Sequence, residues 1–244
     1  MYGSGSQLYF QQRLPHETDL RRHVNIEDDF HGANVSSGDV SALNWRTANL
    51  GGASGSLRSD VLSGVGPFAG TRTVRAGVGV GAGGFGIRTR EENLLIDSFG
   101  VGASMSWRVQ PESAADTQWF CGMTSNATAI PLIATNLHFV GLRFDSSVDG
   151  NVYFVCKDGA AAGNENTLSL GAAVTASLKT YTARRVATDK IVVGSGGTTI
   201  GTLTGITNLP TVSLELQVGS VATGGADKDL NIDFVKIYSP LSRR

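Results

Sequence analysis

The acidic residues are the first candidates for chemistry. Cleaving a glycosidic bond takes two carboxyl groups set on either side of it. The chain offers Glu27-Asp28-Asp29, Glu91-Glu92, a lone Glu215 in "SLELQ" and a lone Asp233 in "NIDF". Neighbouring residues on a strand point to opposite faces, so Glu91 and Glu92 do not form such a pair. Glu215, mid-strand among leucines, is the acid hardest to explain as inert. Asp145 and Asp149 flank a turn in "DSSVDG", and Asp227 and Asp229 lie in "GGADKDLN". Both stretches read as turns in preference to calcium loops, which need several oxygen ligands at set positions. His16, His23, His31 and His138 show no HxxxH or HxH spacing, so no histidine metal site is expected. His138 reads as a hydrogen-bonded structural histidine within a strand. No GxSxG is present. The sequence therefore assigns no catalytic residue, no metal ligand and no cofactor.

The glycines pose a second chemical question. "RAGVGVGAGGFGIR", residues 75–88, contains the GxGxxG pattern at Gly79 to Gly84, and the run "LLID" after it ends in Asp97. A dinucleotide site needs a strand before that loop, a helix after it and about 30 residues for the unit. Only Phe85 to Asn93 separate the last glycine from "LLID", and Gly86, Ile87 and Thr89 are poor helix formers. The nucleotide reading fails. Gly77, Gly79 and Gly81 alternate with Val78, Val80 and Ala82, a strand with one bare face on which a large side chain can lie. Trp45, Trp107 and Trp119 are the candidates to cover it. The three tryptophans and five tyrosines are also the available sugar-stacking groups.

The elements that would position these residues read as β. The chain has 244 residues, 41% apolar and 17% charged, with 32 glycines. Low charge with abundant Gly, Ser, Thr and Val suits short strands and tight turns. Strand signals recur in "VGASMSWRV", "TQWFCGMT", "NLHFVGLRFD", "GNVYFVCKDG", "DKIVVGSG", "TVSLELQVGS" and "DLNIDFVKIYS". Turn dipeptides separate them: Asp149-Gly150, Asp158-Gly159, Gly163-Asn164 and Gly196-Gly197. No stretch shows a sustained 3.6-residue period, although "TREENLL" suits one helical turn. The Gly/Ser-rich stretch 51–66 reads as a long loop inside the domain. These signals predict an all-β, two-sheet antiparallel sandwich over residues 23–244, with an extended N-terminal arm over 1–22.

A net charge of -1 gives no electrostatic reason to expect nucleic acid or an anionic membrane surface. No apolar run approaches the roughly 20 residues of a membrane span. Two cysteines, Cys121 and Cys156, read as free buried thiols of a reducing compartment. Residues 1–22 cannot build a core. Ordering each costs about 1–2 kcal/mol of backbone entropy, whereas burying Leu8, Tyr9 and Phe10 returns about 1.5–3 kcal/mol apiece. The arm is therefore expected to lie on a neighbouring chain, with Leu8, Tyr9 and Phe10 as its anchor.

Three stretches together resemble concanavalin A-like jelly-roll domains, as found in virion structural proteins of tailed bacteriophages. They are the opening "IEDDFHGANVSSGDVSALNWRTANLGG", the middle "TQWFCGMTSNATAIP" with "LHFVGLRFDSSVDGNVYFVCKDG", and the closing "DLNIDFVKIYSPLSRR". The resemblance spans about residues 24–240. It implies a jelly roll whose first and last strands pair, at "VNIEDDF" and "LNIDFVKIY". It further implies a non-enzymatic capsid decoration or head-fibre protein, located in the virion after assembly in the host cytoplasm. Its partners would be other copies of itself, as a homotrimer, and a phage capsid or tail protein. The alternatives are a tail or receptor-binding module holding a host glycan, and a polysaccharide-cleaving enzyme. The β-glucanases of this fold carry E-x-D-x-x-E on one strand, and no stretch of this chain matches that pattern, so no hydrolysis is expected.

Overall fold

The computed structural model describes residues 23–28, 39–40, 45–50, 55–58, 72–76, 83–88, 96–97, 99–125, 138–148, 150–159, 165–173, 175–210 and 212–240. Among these residues the regular elements are all strands, with no helix. In chain order they are β1 (His23–Asp28), β2 (Asp39–Val40), β3 (Trp45–Leu50), β4 (Gly55–Arg58), β5 (Arg72–Ala76), β6 (Gly83–Arg88), β7 (Ile96–Asp97), β8 (Ser104–Pro111) and β9 (Thr117–Thr124). There follow β10 (His138–Asp145), β11 (Asn151–Asp158), β12 (Glu165–Ala172), β13 (Lys179–Ala187), β14 (Lys190–Ser195), β15 (Thr198–Thr204), β16 (Ser213–Ala222) and β17 (Lys228–Pro240).

The strands form two antiparallel sheets. One runs β15-β14-β13-β8-β17-β5-β4, with β1 also on β17; the other runs β12-β11-β10-β9-β16-β6-β3-β2, with β7 also on β16. Side chains from both sheets alternate into one core. Met105, Trp107 and Val109 of β8 and Ile232, Val235 and Ile237 of β17 meet Trp119, Cys121 and Met123 of β9 and Leu214, Leu216 and Val218 of β16. Trp119 stacks on Phe144 with ring centroids 5.7 Å apart. The expected closure is present: His23 pairs with Pro240 and Asp28 with Val235 along β1 and β17.

The turn chemistry follows the sequence. Gly196 and Gly197 have φ of 56° and 85° between β14 and β15, the conformation a two-residue hairpin turn demands. Gly150 and Gly159 also have positive φ. The stretch read as a loop over 51–66 contains a strand, β4, which pairs with β5 at the sheet edge. Its Gly and Ser content hides it from pattern reading, because an edge strand needs ladder partners more than apolar alternation. β6 lies antiparallel to both β3 and β16, a setting unlike a nucleotide loop. Gly77 to Ala82, "TREENLL", Gly163-Asn164 and the arm with Leu8, Tyr9 and Phe10 lie outside the described residues. Trp107 and Trp119 are core residues, 0% and 1% exposed.

Candidate functional site

The nine-stranded sheet is dressed on both faces. All eight residues of β9 are buried. Trp119, Cys121 and Met123 point to the core, so strand alternation sends Gln118, Phe120, Gly122 and Thr124 to the outer face. On that face one row runs Glu215, Thr124, Phe139, Lys157, Glu165 across β16, β9, β10, β11 and β12. The next row holds Gln217, Gly122, Gly141, Val155 and Thr167, and the one beyond it Phe120, Arg143, Tyr153 and Ser169.

Glycine at 122 and 141 makes room for an aromatic ring. A Cβ at Gly122 would come within 2.9 Å of Phe139 Cε2, and one at Gly141 within 3.0 Å of its Cζ. The Phe139 ring therefore lies across both glycines. Phe120 meets it edge-on, centroids 6.4 Å apart, and Val155 and Val221 complete a second buried apolar cluster, with Tyr153 packed against it.

Glu215 is the buried acid of this face, 5% exposed. It stands beside Thr124 on the β9 side. On the other side of β16 the ladder changes partner: Gln217 faces Arg88, and Ser213 faces Asp97. Residues 89–95, between β6 and β7, lie outside the described residues. By register Asp97 is the diagonal neighbour of Glu215, a relation that in antiparallel pairs separates residues by about 7–8 Å.

The other charges of the face are tied to one another. Arg143 donates Nη1 to Glu165 Oε2 at 3.0 Å and Nη2 to Glu165 Oε1 at 3.2 Å. Lys157, cross-strand from Glu165, has its ammonium pKa lowered by burial; Glu165 opposes that fall and Arg143 adds to it. Asp145 accepts at Oδ1 from the Ser147 amide (2.9 Å) and hydroxyl (2.6 Å), and at Oδ2 from Gln118 Nε2 (2.7 Å). That arrangement is a turn, as the sequence suggested; Asp149 lies outside the described residues. Glu165 is four strands from Glu215, about 19 Å at roughly 4.8 Å per strand, too far to share a bond with it.

The remaining candidates fall elsewhere. Asp233 sits at an irregularity of β17 on the eight-stranded sheet and accepts from Arg108 Nη1 at 2.9 Å. His138 departs from expectation: its Nδ1 is buried with no hydrogen-bond partner. The imidazole packs over Gly159, whose missing Cβ makes the space. The end of β10 gives it backbone contact, through its own amide to Ser125 Oγ at 3.2 Å, in place of a side-chain partner. No group of three or more His, Cys, Asp or Glu suited to a metal occurs among the described residues. Cys121 and Cys156 are free and buried. Sequence reasoning missed the Arg143–Glu165 fork. The signal was an arginine at the period of Phe139 and Gly141 in an otherwise apolar strand.

No protein family and no curated protein matches this sequence. Solved structures do match. A Bacillus licheniformis β-glucanase shares 14% identity over 90% of this chain and 98% of its own, with a TM-score of 0.55. A prokaryotic β-1,3-1,4-glucanase (lichenase) from a mouse hindgut metagenome shares 15% over 91% and 100%, TM-score 0.52. The transglycosylase Crh5 shares 14% over 90% and 85%, TM-score 0.56. The fold is thus a concanavalin A-like jelly-roll sandwich. The expected non-enzymatic virion role rested on that fold resemblance alone, and the structures that share the fold include two glucanases and a transglycosylase. Another structure of the same fold, at TM-score 0.58, is a protein of unknown function from Shewanella oneidensis; none supports the virion reading, and the glucanases and transglycosylase among them overturn the expectation of no enzymatic activity.

Proposed function

We propose that this chain is a polysaccharide-cleaving jelly roll that acts on a β-linked glucan. Glu215 is its principal carboxyl group and Asp97 the second. The observation that carries the reading is the place of Glu215: a buried acid on the outer sheet face, where its strand changes partner on one side from β6 to β7. Asp97 is assigned as the second acid on register alone, as the diagonal neighbour of Glu215 across β7 and β16; in the inverting arrangement two carboxyl groups stand roughly 6.5–9.5 Å apart with a water between them. In that scheme one carboxyl protonates the departing glycosidic oxygen and the other takes a proton from the attacking water. Thr124 and Gln217, both 0% exposed, fix the backbone and floor around Glu215. The similar structures are named for action on β-glucans, which supports the substrate class.

A second reading is glycan binding without cleavage. It draws on Glu165 and Asp145, which are engaged by Arg143 and by Ser147 and Gln118 and so leave few carboxylates for acid–base work. Reducing-end release from mixed-linkage β-glucan separates the two. Cleavage by the natural chain, reduced by about 10²–10⁴ in Glu215→Gln and likewise in Asp97→Asn, supports the enzyme. Retention of the glucan with no release supports the binder, and cleavage unaffected by Glu215→Gln refutes the assignment of the acid.

A further inference from the structure

β13 alternates, and Arg185 falls on its inner face, in line with Tyr181 and Ala183 of the core. A half-buried guanidinium needs partners, because a charge taken out of water without hydrogen bonds is costly. Arg185 finds three carbonyl groups. Its Nη1 donates to Phe99 O at 2.6 Å, Nη2 to Thr188 O at 2.5 Å and Nε to Ala187 O at 3.2 Å. Its backbone holds the same stretch of chain: the Arg185 amide donates to Ala103 O at 2.9 Å, and the Gly102 amide donates to Arg185 O at 2.8 Å. Across the core its charge acts on Cys156 of β11, in the other sheet. The chain gripped in this way is a crossing between the sheets. β7 pairs with β16 of the nine-stranded sheet, whereas β8 lies beside β13 in the eight-stranded one. Between them the Phe99 side chain is buried in the core, 1% exposed, and the Ala103 amide closes a turn on Gly100 O at 3.0 Å. Phe99 is two residues after Asp97. β7 itself has only two ladder positions, Ile96 on Leu214 and Asp97 on Ser213.

We propose that Arg185 is a positioning residue for Asp97: by holding the Phe99 carbonyl it fixes the backbone that carries the second carboxyl group to the Glu215 end of the sheet. The inference rests on the function proposed above, in which Asp97 is that second acid. A strand of two residues fixes little by itself, so the placing of Asp97 falls to the chain that follows it. Arginine suits the task. Its rigid planar fork serves three carbonyl groups in one geometry, whereas the rotating ammonium of lysine has no fixed plane. The precision matters because acid and base must stand at a set separation to act on one bond. A displacement on the order of 1 Å costs about 10²-fold in rate. Arg185 touches no substrate in this scheme and acts only through the main chain.

The test is steady-state cleavage of mixed-linkage β-glucan by the full chain, with urea unfolding run on each variant. Arg185→Met should lower kcat by about 10- to 100-fold and change KM by less than about twofold. Arg185→Lys should fall between the natural chain and Arg185→Met. The double variant separates positioning from general damage to the fold. In Asp97→Asn the second carboxyl group is already gone, so adding Arg185→Met should lower kcat by less than about twofold more. If Arg185→Met does not fold, Arg185→Lys takes its place in the same cycle, with an expected loss of about fivefold. An unchanged kcat in the variant tested overturns the proposal. So does a loss of the same size with and without Asp97→Asn, since Arg185 would then act elsewhere. Cleavage that needs Glu215 but survives Asp97→Asn overturns it too and leaves the Glu215 acid standing. A natural chain that cleaves no β-glucan overturns the proposed function, and this inference falls with it.

Discussion

Alkali should undo this sandwich through its thiols. Cys121 and Cys156 lie in the core, each 0% exposed. Burial pushes the Cys156 thiol up to about 12, with Arg185 pulling weakly against it, and pushes Cys121 higher still. Unfolded, both ionise from about pH 9. A group with a raised folded pKa holds its proton longer in the native state. Its stabilisation is complete below the unfolded value and is lost as the pH climbs towards the folded one. Each thiol then removes about 1.4 kcal/mol per pH unit above pH 9. At pH 11 the two together remove on the order of 5 kcal/mol, the low end of a domain's whole stability. Tyr181, pushed up to about 12 by burial and then by Cys121, adds a loss of the same sign above pH 10. Lys157 acts oppositely: its lowered pKa makes stability rise with pH in the window ending at its ordinary value of 10.5. Two thiols and a tyrosine outweigh one partly compensated lysine. Urea midpoints from pH 8 to 11 should therefore fall steeply above pH 9. Cys121→Val with Cys156→Val should flatten most of that slope, whatever it does to stability at pH 7. A midpoint constant between pH 9 and 11, or thiolate absorbance in the folded protein near pH 9, would falsify the reasoning.

Two further perturbations read the outer face of the nine-stranded sheet. Gly141→Ala would drive a Cβ into the Cys121 carbonyl oxygen and to 2.5 Å from Gly122 Cα, and should cost about 3 kcal/mol. Urea unfolding measures it, and a loss below about 1 kcal/mol would mean that β9 and β10 can spread. The Arg143–Glu165 fork is about a quarter exposed, so a double-mutant cycle with Arg143→Leu and Glu165→Leu should give a coupling of about 1 kcal/mol. That coupling should shrink in 1 M salt, and coupling indifferent to salt would argue for a far drier pair.

Strands β8 to β11, β14, β16 and β17 were legible because each alternates or runs apolar between turn formers, whereas the polar β12, β13 and β15 gave no such signal; the turn at Gly196-Gly197 was legible because only glycine takes two positive φ values at no cost. The pairing of β1 with β17 followed from family resemblance, not from periodicity. Sheet order was another matter. Nothing local says that β16 lies between β9 and β6, since that choice is made by contacts between residues far apart in sequence. Glu215 was therefore visible as an odd acid among leucines, while its neighbours Thr124, Arg88 and Asp97 were not. The Arg143–Glu165 fork was hidden for the same reason. The absence of E-x-D-x-x-E speaks only of acids on one strand; acids brought together from two strands leave no such spacing in the sequence.

β9 is a strand with no outside. In an open two-layer sandwich most strands keep one face on which substitution is nearly free, as β8 and β13 do at Ser104, Ser106, Thr180 and Thr182. On β9 every position is packed, so it behaves like the central strand of a sheet covered on both sides. Neutral drift is then unevenly distributed over the molecule. The exposed positions of the eight-stranded sheet can lose all memory of an ancestral sequence while the fold persists, whereas a change at Gln118, Phe120, Gly122 or Thr124 must be answered by a change on β10 or β16. Divergence in this chain should consequently proceed in correlated pairs across β9 and singly at the exposed positions of β13.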